Sequence, residues 1–151
     1  MTLKERIQND IYVALKQGDR QTATTLRLLM AAIKDREIAL KKRDEGLSDQ
    51  EVVEVLQREI KKRRDSIEAF THGSRQDLAD KEVGELQILA EYLPPQMSED
   101  ELKKEVMLAI QEAGASSPQD VGSVMKALMS HLRGKIDGKK AMEIATHMLE
   151  L

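Results

Sequence analysis

The sequence predicts an all-α protein, and three observations predict it. Apolar residues recur every three or four positions in segment after segment, the spacing that puts them on one face of a helix. Ser48–Glu51 and Ser98–Glu101 both read Ser-x-x-Glu, the pattern in which a serine hydroxyl and a glutamate carboxylate reciprocally satisfy free backbone N–H groups at a helix start. No stretch alternates apolar and polar residues for long enough to form a strand. The expected architecture is an N-terminal domain of about four helices, two of them long, over residues 1–94. A small three-helix bundle over 97–151 completes it.

Leu3, Ile7, Ile11 and Leu15 form the first stripe, which Gly18 ends, and Asp19 stands ready to cap the second helix. That helix is expected to run to about Arg43, with Leu26, Leu29, Met30, Ile33 and Leu40 inward and Gly46 as the stop. The third starts at the Ser48 box and carries Val52, Val53, Leu56, Ile60, Ile67 and Phe70 up to His72-Gly73. Ser74 is the expected cap of a fourth, with Leu78, Leu86, Leu89 and Leu93 inward. Pro94-Pro95 breaks the pattern, because proline has no N–H and drives the residue before it out of helical geometry. The Ser98 box restarts it. Leu102, Val106, Ala109 and Ile110 lead to Gly114, and Ser117-Pro118 opens the next helix with proline at its first position. Val121, Val124, Met125, Leu128 and Leu132 form that helix's inner face, which ends near Arg133. The last helix begins at about Gly138 and is expected to bury Met142, Ile144 or Ala145, Met148 and Leu149.

The chain of 151 residues is 40% hydrophobic and 34% charged, values of a folded globular protein rather than a disordered one. Tyr12, Phe70 and Tyr92 are its only aromatics, so aliphatic residues and eight methionines must build the core. It has no cysteine, which excludes disulfides, thiol catalysis and cysteine-bound metal. No apolar run approaches the roughly 20 residues that span a bilayer. Lys4, Glu5 and Arg6 stand where a signal peptide needs apolar residues, and a cytoplasmic location is expected.

Charge is segregated near the C-terminus. Residues 98–120 hold six acids against Lys103 and Lys104, net −4; residues 121–140 hold five bases against Asp137, net +4. The five are Lys126, Arg133, Lys135, Lys139 and Lys140, gathered around Gly134 and Gly138. A helix–helix turn accounts for Gly134 as a C-terminal stop and Asp137 as a cap. It does not demand Lys135, Lys139 and Lys140 together. Glycines that open the backbone beside several cations suit phosphate, so these seven residues are the candidate nucleic-acid contacts. Lys126 and Arg133, seven apart, are expected to share a helix face, and the acidic 98–120 stretch is expected to lie away from a bound RNA.

Other clusters read as structural. Glu68/His72 and Glu143/His147 are surface pairs at helical spacing. Asp77, Asp80, Glu82 and Glu85 crowd an expected helix start, where the helix dipole favours acids. The basic runs Lys41–Arg43 and Arg58–Arg64 read first as solvated faces, with part of a phosphate-contacting surface as the alternative. There is no phosphate-binding loop, nucleophile elbow, dinucleotide fingerprint or zinc-protease motif, so no catalytic residue, metal ligand or cofactor site is assigned.

Four blocks carry a family resemblance: Leu26–Glu37 (LRLLMAAIKDRE), Glu85–Gln96 (ELQILAEYLPPQ), Asp120–Met125 (DVGSVM) and Gly134–Lys139 (GKIDGK). In this order they resemble the GatB/YqeY family over nearly the whole chain, matching its stand-alone YqeY-like members. They also resemble the tail of the B subunit of the tRNA-dependent amidotransferase, whose family label is carbon–nitrogen ligase activity with glutamine as amido-N-donor. The resemblance implies a helical N-terminal domain plus a small C-terminal three-helix domain. It further implies association with tRNA or with a protein of the translation or aminoacylation machinery, without catalysis by this chain alone. The competing expectation is a protein–protein adaptor that binds no RNA.

The missing motifs generate one prediction. The purified chain, given glutamine, ATP and mischarged Glu-tRNA, should release no ammonia, hydrolyse no ATP and form no Gln-tRNA. Turnover in any of the three assays, with no other subunit present, would falsify it.

Overall fold

The computed structural model describes residues 1–151. It contains seven helices and no strand: α1 (Leu3–Gln17), α2 (Arg20–Ala39), α3 (Asp49–His72), α4 (Gln76–Ala90), α5 (Glu99–Ala113), α6 (Val121–Leu132) and α7 (Gly138–Glu150), with a 3₁₀ turn, Pro118–Asp120, leading into α6. The all-α expectation holds, and the two long helices are α2 and α3, of 20 and 24 residues. The chain divides into two compact units, Met1–Leu93 and Pro94–Leu151.

Helix starts obey the local chemistry. Ser48 and Ser98 each form the full reciprocal box, with Glu51 and Glu101, and Thr2 forms another with Glu5. Asp19 accepts from the Thr22 N–H and caps α2. Gly18 and Gly114 take the left-handed conformation that closes α1 and α5. Where the expectation differs, a specific contact explains it. The second helix ends at Ala39, not near Arg43, because Lys41 turns left-handed (φ 58°) and the Lys42 N–H bonds to the Glu37 carbonyl at 2.7 Å. Lys42 then pairs with Glu51 of the next capping box at 2.9 Å. Ser74 does not cap α4. It sits at φ 57°, and Arg75, which makes no side-chain cap bond, precedes the helix.

In the N-terminal unit, Ile7, Leu26, Leu29, Ile33, Val52, Leu56 and Leu89 are fully or almost fully buried. Leu15, expected inward, is 47% exposed, and Ala14 is buried in its place. Seven residues return the helix to within about 20° of Ile7, whereas eight overshoot it by about 80°. Tyr92, one of three aromatics, is buried at the end of this unit. Its hydroxyl donates to Asp10 at 2.5 Å, and the Arg6 guanidinium lies 4.8 Å from its ring centre. Burial first, and Asp10 second, hold its phenol well above the usual tyrosine range. Arg63 departs from the solvated reading of the basic run. It is buried between Glu59 and Glu85, with 3.3 Å to a carboxylate oxygen of each. Glu85, from the acidic crowd on α4, therefore ties α4 to α3.

In the C-terminal unit, Leu102, Val106 and Ala109 of α5 pack with Val124, Leu128 and Leu132 of α6 and Ala141, Ala145 and Leu149 of α7. Met142, expected inward, is 48% exposed; Ala141, one position back, takes the core site. Small alanines at 141 and 145 let α7 approach its neighbours closely.

This packing has two measurable consequences. Leu128 is fully buried, so Leu128→Ala should lower stability by about 2–5 kcal/mol, read from denaturant melts; a negligible change would contradict the core. Backbone bonding from Ser48, with the Lys42 ammonium second, pulls Glu51 down to about 2. A depressed carboxylate stabilises the fold above its unfolded value and loses that contribution as pH falls toward the folded one. Stability should therefore drop between about pH 4.5 and 2. Glu51→Gln should flatten that part of the acid titration, and an identical acid limb in the variant would refute the assignment.

Candidate nucleic-acid interface

The α6–α7 connection is built by alternation. From residue 132 to 137 the side chains run buried, exposed, buried, exposed, buried, exposed: Leu132, Gly134 and Ile136 face the core, and Arg133, Lys135 and Asp137 face out. Gly134 makes this possible. Its φ of 86° lies in the left-handed region, where a side chain is strained. The turn closes with the Lys135 N–H on the Leu132 carbonyl at 3.0 Å.

The carbonyls that face away from α6 and α7 are satisfied from elsewhere in the unit. The Gln96 side-chain amide donates to the Gly134 carbonyl and to the Pro94 carbonyl, both at 2.9 Å. The Met97 N–H donates to the Lys135 carbonyl at 3.0 Å. Gln96 and Met97 are positioning residues that sequence reasoning missed. Their only local signal is a position just after Pro94-Pro95, where an extended chain leaves its backbone groups open.

Asp137 caps α7 as expected, accepting from the backbone N–H of Lys139 at 3.0 Å and of Lys140 at 3.4 Å. Gly138 is the first helical residue, and its Cα packs near the Met129 methyl, where an added Cβ would stand 3.2 Å away. Lys139 and Lys140 thus occupy the first turn of α7, a turn with no acidic residue. Cations there oppose the helix dipole at a cost of about 0.3–1 kcal/mol each. Helix stability does not explain them. Lys126, Arg133, Lys135, Lys139 and Lys140 are all exposed.

Three details differ from the sequence expectation. Arg133 lies beyond the end of α6 with an extended ψ of 129°, so helical periodicity does not align it with Lys126. Gly134 is buried with its carbonyl engaged, and it serves the turn rather than an open backbone approach. The acidic stretch does not lie wholly apart from the basic turn. Glu99, in the first turn of α5, is 3.7 Å from Lys140 and 3.9 Å from Lys103. Farther along, Asp120 accepts from the Ser116 and Ser117 N–H groups, and these bonds hold its carboxyl below the usual range.

No group of three or more His, Cys, Asp or Glu is placed to hold a metal ion. The outer face of α7 is shallow, lined by Lys139, Met142, Glu143, Thr146, His147 and Glu150. No helix is long and apolar enough to cross a membrane.

Gly134→Ala should cost about 1–2 kcal/mol, because it places a side chain in the left-handed region. Gly138→Ala should cost less, since the flexible Met129 end can move aside. Paired thermal melts test the order, and equal losses would show that the turn does not depend on the Gly134 backbone.

The family model described as Yqey-like protein matches residues 4–149. The chain is 33% identical over 96 residues to a Schizosaccharomyces pombe protein described as uncharacterized, covering 64% of this chain and 76% of that one. It is 29% identical over 145 residues to altered inheritance of mitochondria protein 41, mitochondrial, of Saccharomyces cerevisiae, covering 96% of this chain and 68% of the relative. The protein of the same name in Kluyveromyces lactis is 30% identical over 135 residues, covering 88% and 68%. A match over almost the full length, on a fold of two helical units, leads to one conclusion: the chain belongs to the YqeY-like protein family.

Proposed function

We propose that this YqeY-like protein is a non-catalytic RNA-binding accessory module that holds a folded RNA of the tRNA class by its phosphates. Its resemblance to the tail of the tRNA-dependent amidotransferase B subunit supports a role beside the machinery that charges or amidates tRNA. The observation that carries the reading is the first turn of α7, where Lys139 and Lys140 stand against the helix dipole beside exposed Arg133 and Lys135. Such a turn supplies several cations to an anionic ligand, around a helix start that Asp137 already caps.

The chemistry favours phosphate and shape over base reading. Residues 94–151 contain no Phe, Tyr or Trp, so the C-terminal unit lacks the large aromatic platforms on which single-stranded bases stack. Folded RNA is recognised largely through its backbone and shape. Lys140 is partly neutralised by Glu99, so Lys135 and Lys139 carry more of the contact. The compartment proposed is the cytoplasm, in keeping with a chain free of cysteine. The word mitochondrial belongs to the names of the yeast relatives.

Replacing Lys135, Lys139 and Lys140 with alanine should weaken tRNA binding equally across sequences and flatten its salt slope by up to about three, one per lost phosphate contact. Lys140→Ala alone should have the smallest effect of the three single changes. Melting should barely move, because exposed substitutions usually stay within about 0.5 kcal/mol. The measurement is a salt titration of tRNA affinity. An unchanged slope in the triple variant, or no binding by the native chain at low salt, would replace this reading with the adaptor.

A further inference from the structure

We infer that the α1–α2 face of the N-terminal unit is a docking groove for an acidic amphipathic helix of a partner protein. All of its residues lie within Met1–Leu93, so the inference is independent of the RNA reading.

The groove has a volume of about 490 Å³ and is lined by Gln8 and Ile11 of α1 and by Arg27, Met30, Ala31 and Lys34 of α2. The two helices run antiparallel and are tied together by the Lys4–Glu37 ion pair at 2.6 Å. The apolar floor continues past the lining. Leu15 is one turn beyond Ile11 on α1 and 47% exposed; Ile38 is one turn beyond Lys34 on α2 and 49% exposed. Ala14, Met30 and Ile33 of the same two helices are buried in the core, whereas Leu15 and Ile38 are left half exposed. Large apolar side chains left open along a channel between helices suit an incoming helix with its own apolar stripe.

The rim determines the partner's charge. Both charged lining residues, Arg27 and Lys34, are cations, and they stand seven residues, or about 10 Å, apart along one face of α2. Two of the nearby acids are already engaged. Glu37 is bound to Lys4, and Asp10 accepts the Tyr92 hydroxyl. Asp35 is exposed one turn after Ala31, at the outer margin of the same face, and stands there against the two cations Arg27 and Lys34. An apolar floor between two spaced cations complements a helix whose apolar stripe is bordered by carboxylates. A nucleic acid has no use for the apolar floor.

The test uses the full chain and three probes: a stapled 18-residue helix with Leu on one face and Glu elsewhere, the same helix with Lys in place of Glu, and vesicles of phosphatidylglycerol. Binding is read by fluorescence anisotropy and located by ¹⁵N amide shifts. The Glu helix should bind and shift Ile11, Leu15, Ala31 and Ile38. Arg27→Glu with Lys34→Glu should weaken it by at least about tenfold and make the Lys helix bind instead. Melting should not change, since both cations are exposed. Ala31→Gln, which fills the exposed floor without altering charge, should also weaken the Glu helix. The inference is overturned by any of four results. These are no binding of the Glu helix, shifts outside the groove, equal affinity for the charge-reversed variant, and groove shifts produced only by vesicles or by raised protein concentration without peptide.

Discussion

The basic surface of the C-terminal unit depends on one backbone constraint, the left-handed conformation at Gly134. It lets the chain leave α6, bury Leu132, Gly134 and Ile136 in alternation, and enter α7 at Asp137. The charges result from that burial. Once every second residue faces the core, the intervening residues must face solvent, and they include Arg133 and Lys135. The turn is then fixed from outside by the Gln96 amide and the Met97 N–H, which occupy carbonyls that neither helix can satisfy.

The N-terminal unit reaches its specificity differently. Its core is aliphatic, and such cores tolerate sliding between helices. Polar ties at their edges fix the register. Lys4–Glu37 sets α1 on α2, Arg63 with Glu59 and Glu85 sets α3 on α4, and Tyr92 on Asp10 returns the end of the unit to α1. Each tie buries part of a charged or hydroxyl group and is satisfied only in one alignment. A buried pair of this kind contributes little net stability but strongly disfavours registers that leave one partner alone.

The two proposed binding surfaces illustrate how one rule of exposure yields different chemistry. Around the α6–α7 turn, exposed cations are near neighbours in sequence, set about a helix start that Asp137 caps. That combination attracts point-like anions. Along α1 and α2 the exposed residues are spaced by helical turns, and apolar groups separate the cations. That combination has length and direction, and it suits another helix. A Lys140 already shared with Glu99 and a Lys4 already bound to Glu37 show that cation counts alone overstate what either surface offers.

Most helix starts and the helix class were legible in the residues themselves, because capping boxes, left-handed glycines and 3–4 apolar spacing are local signals. Ser48–Glu51, Ser98–Glu101, Asp19 and Asp137 all behave as their chemistry requires. The candidate cations were legible as a cluster for the same reason. What the tertiary structure alone decided were matters of partner. Lys41 and Ser74 adopt left-handed geometry without being glycine. Arg63 was indistinguishable in sequence from Arg58 or Lys61 until Glu85 of another helix met it. Leu15 and Met142 lie at the margins of their stripes, where a helical period of 3.6 leaves the choice between adjacent residues to the neighbouring helix. Gln96 and Gly134 are 38 residues apart, and no local pattern encodes a hydrogen bond across that distance. Local chemistry determined where helices begin and which charges they carry. Long-range packing determined which of those charges stay in water.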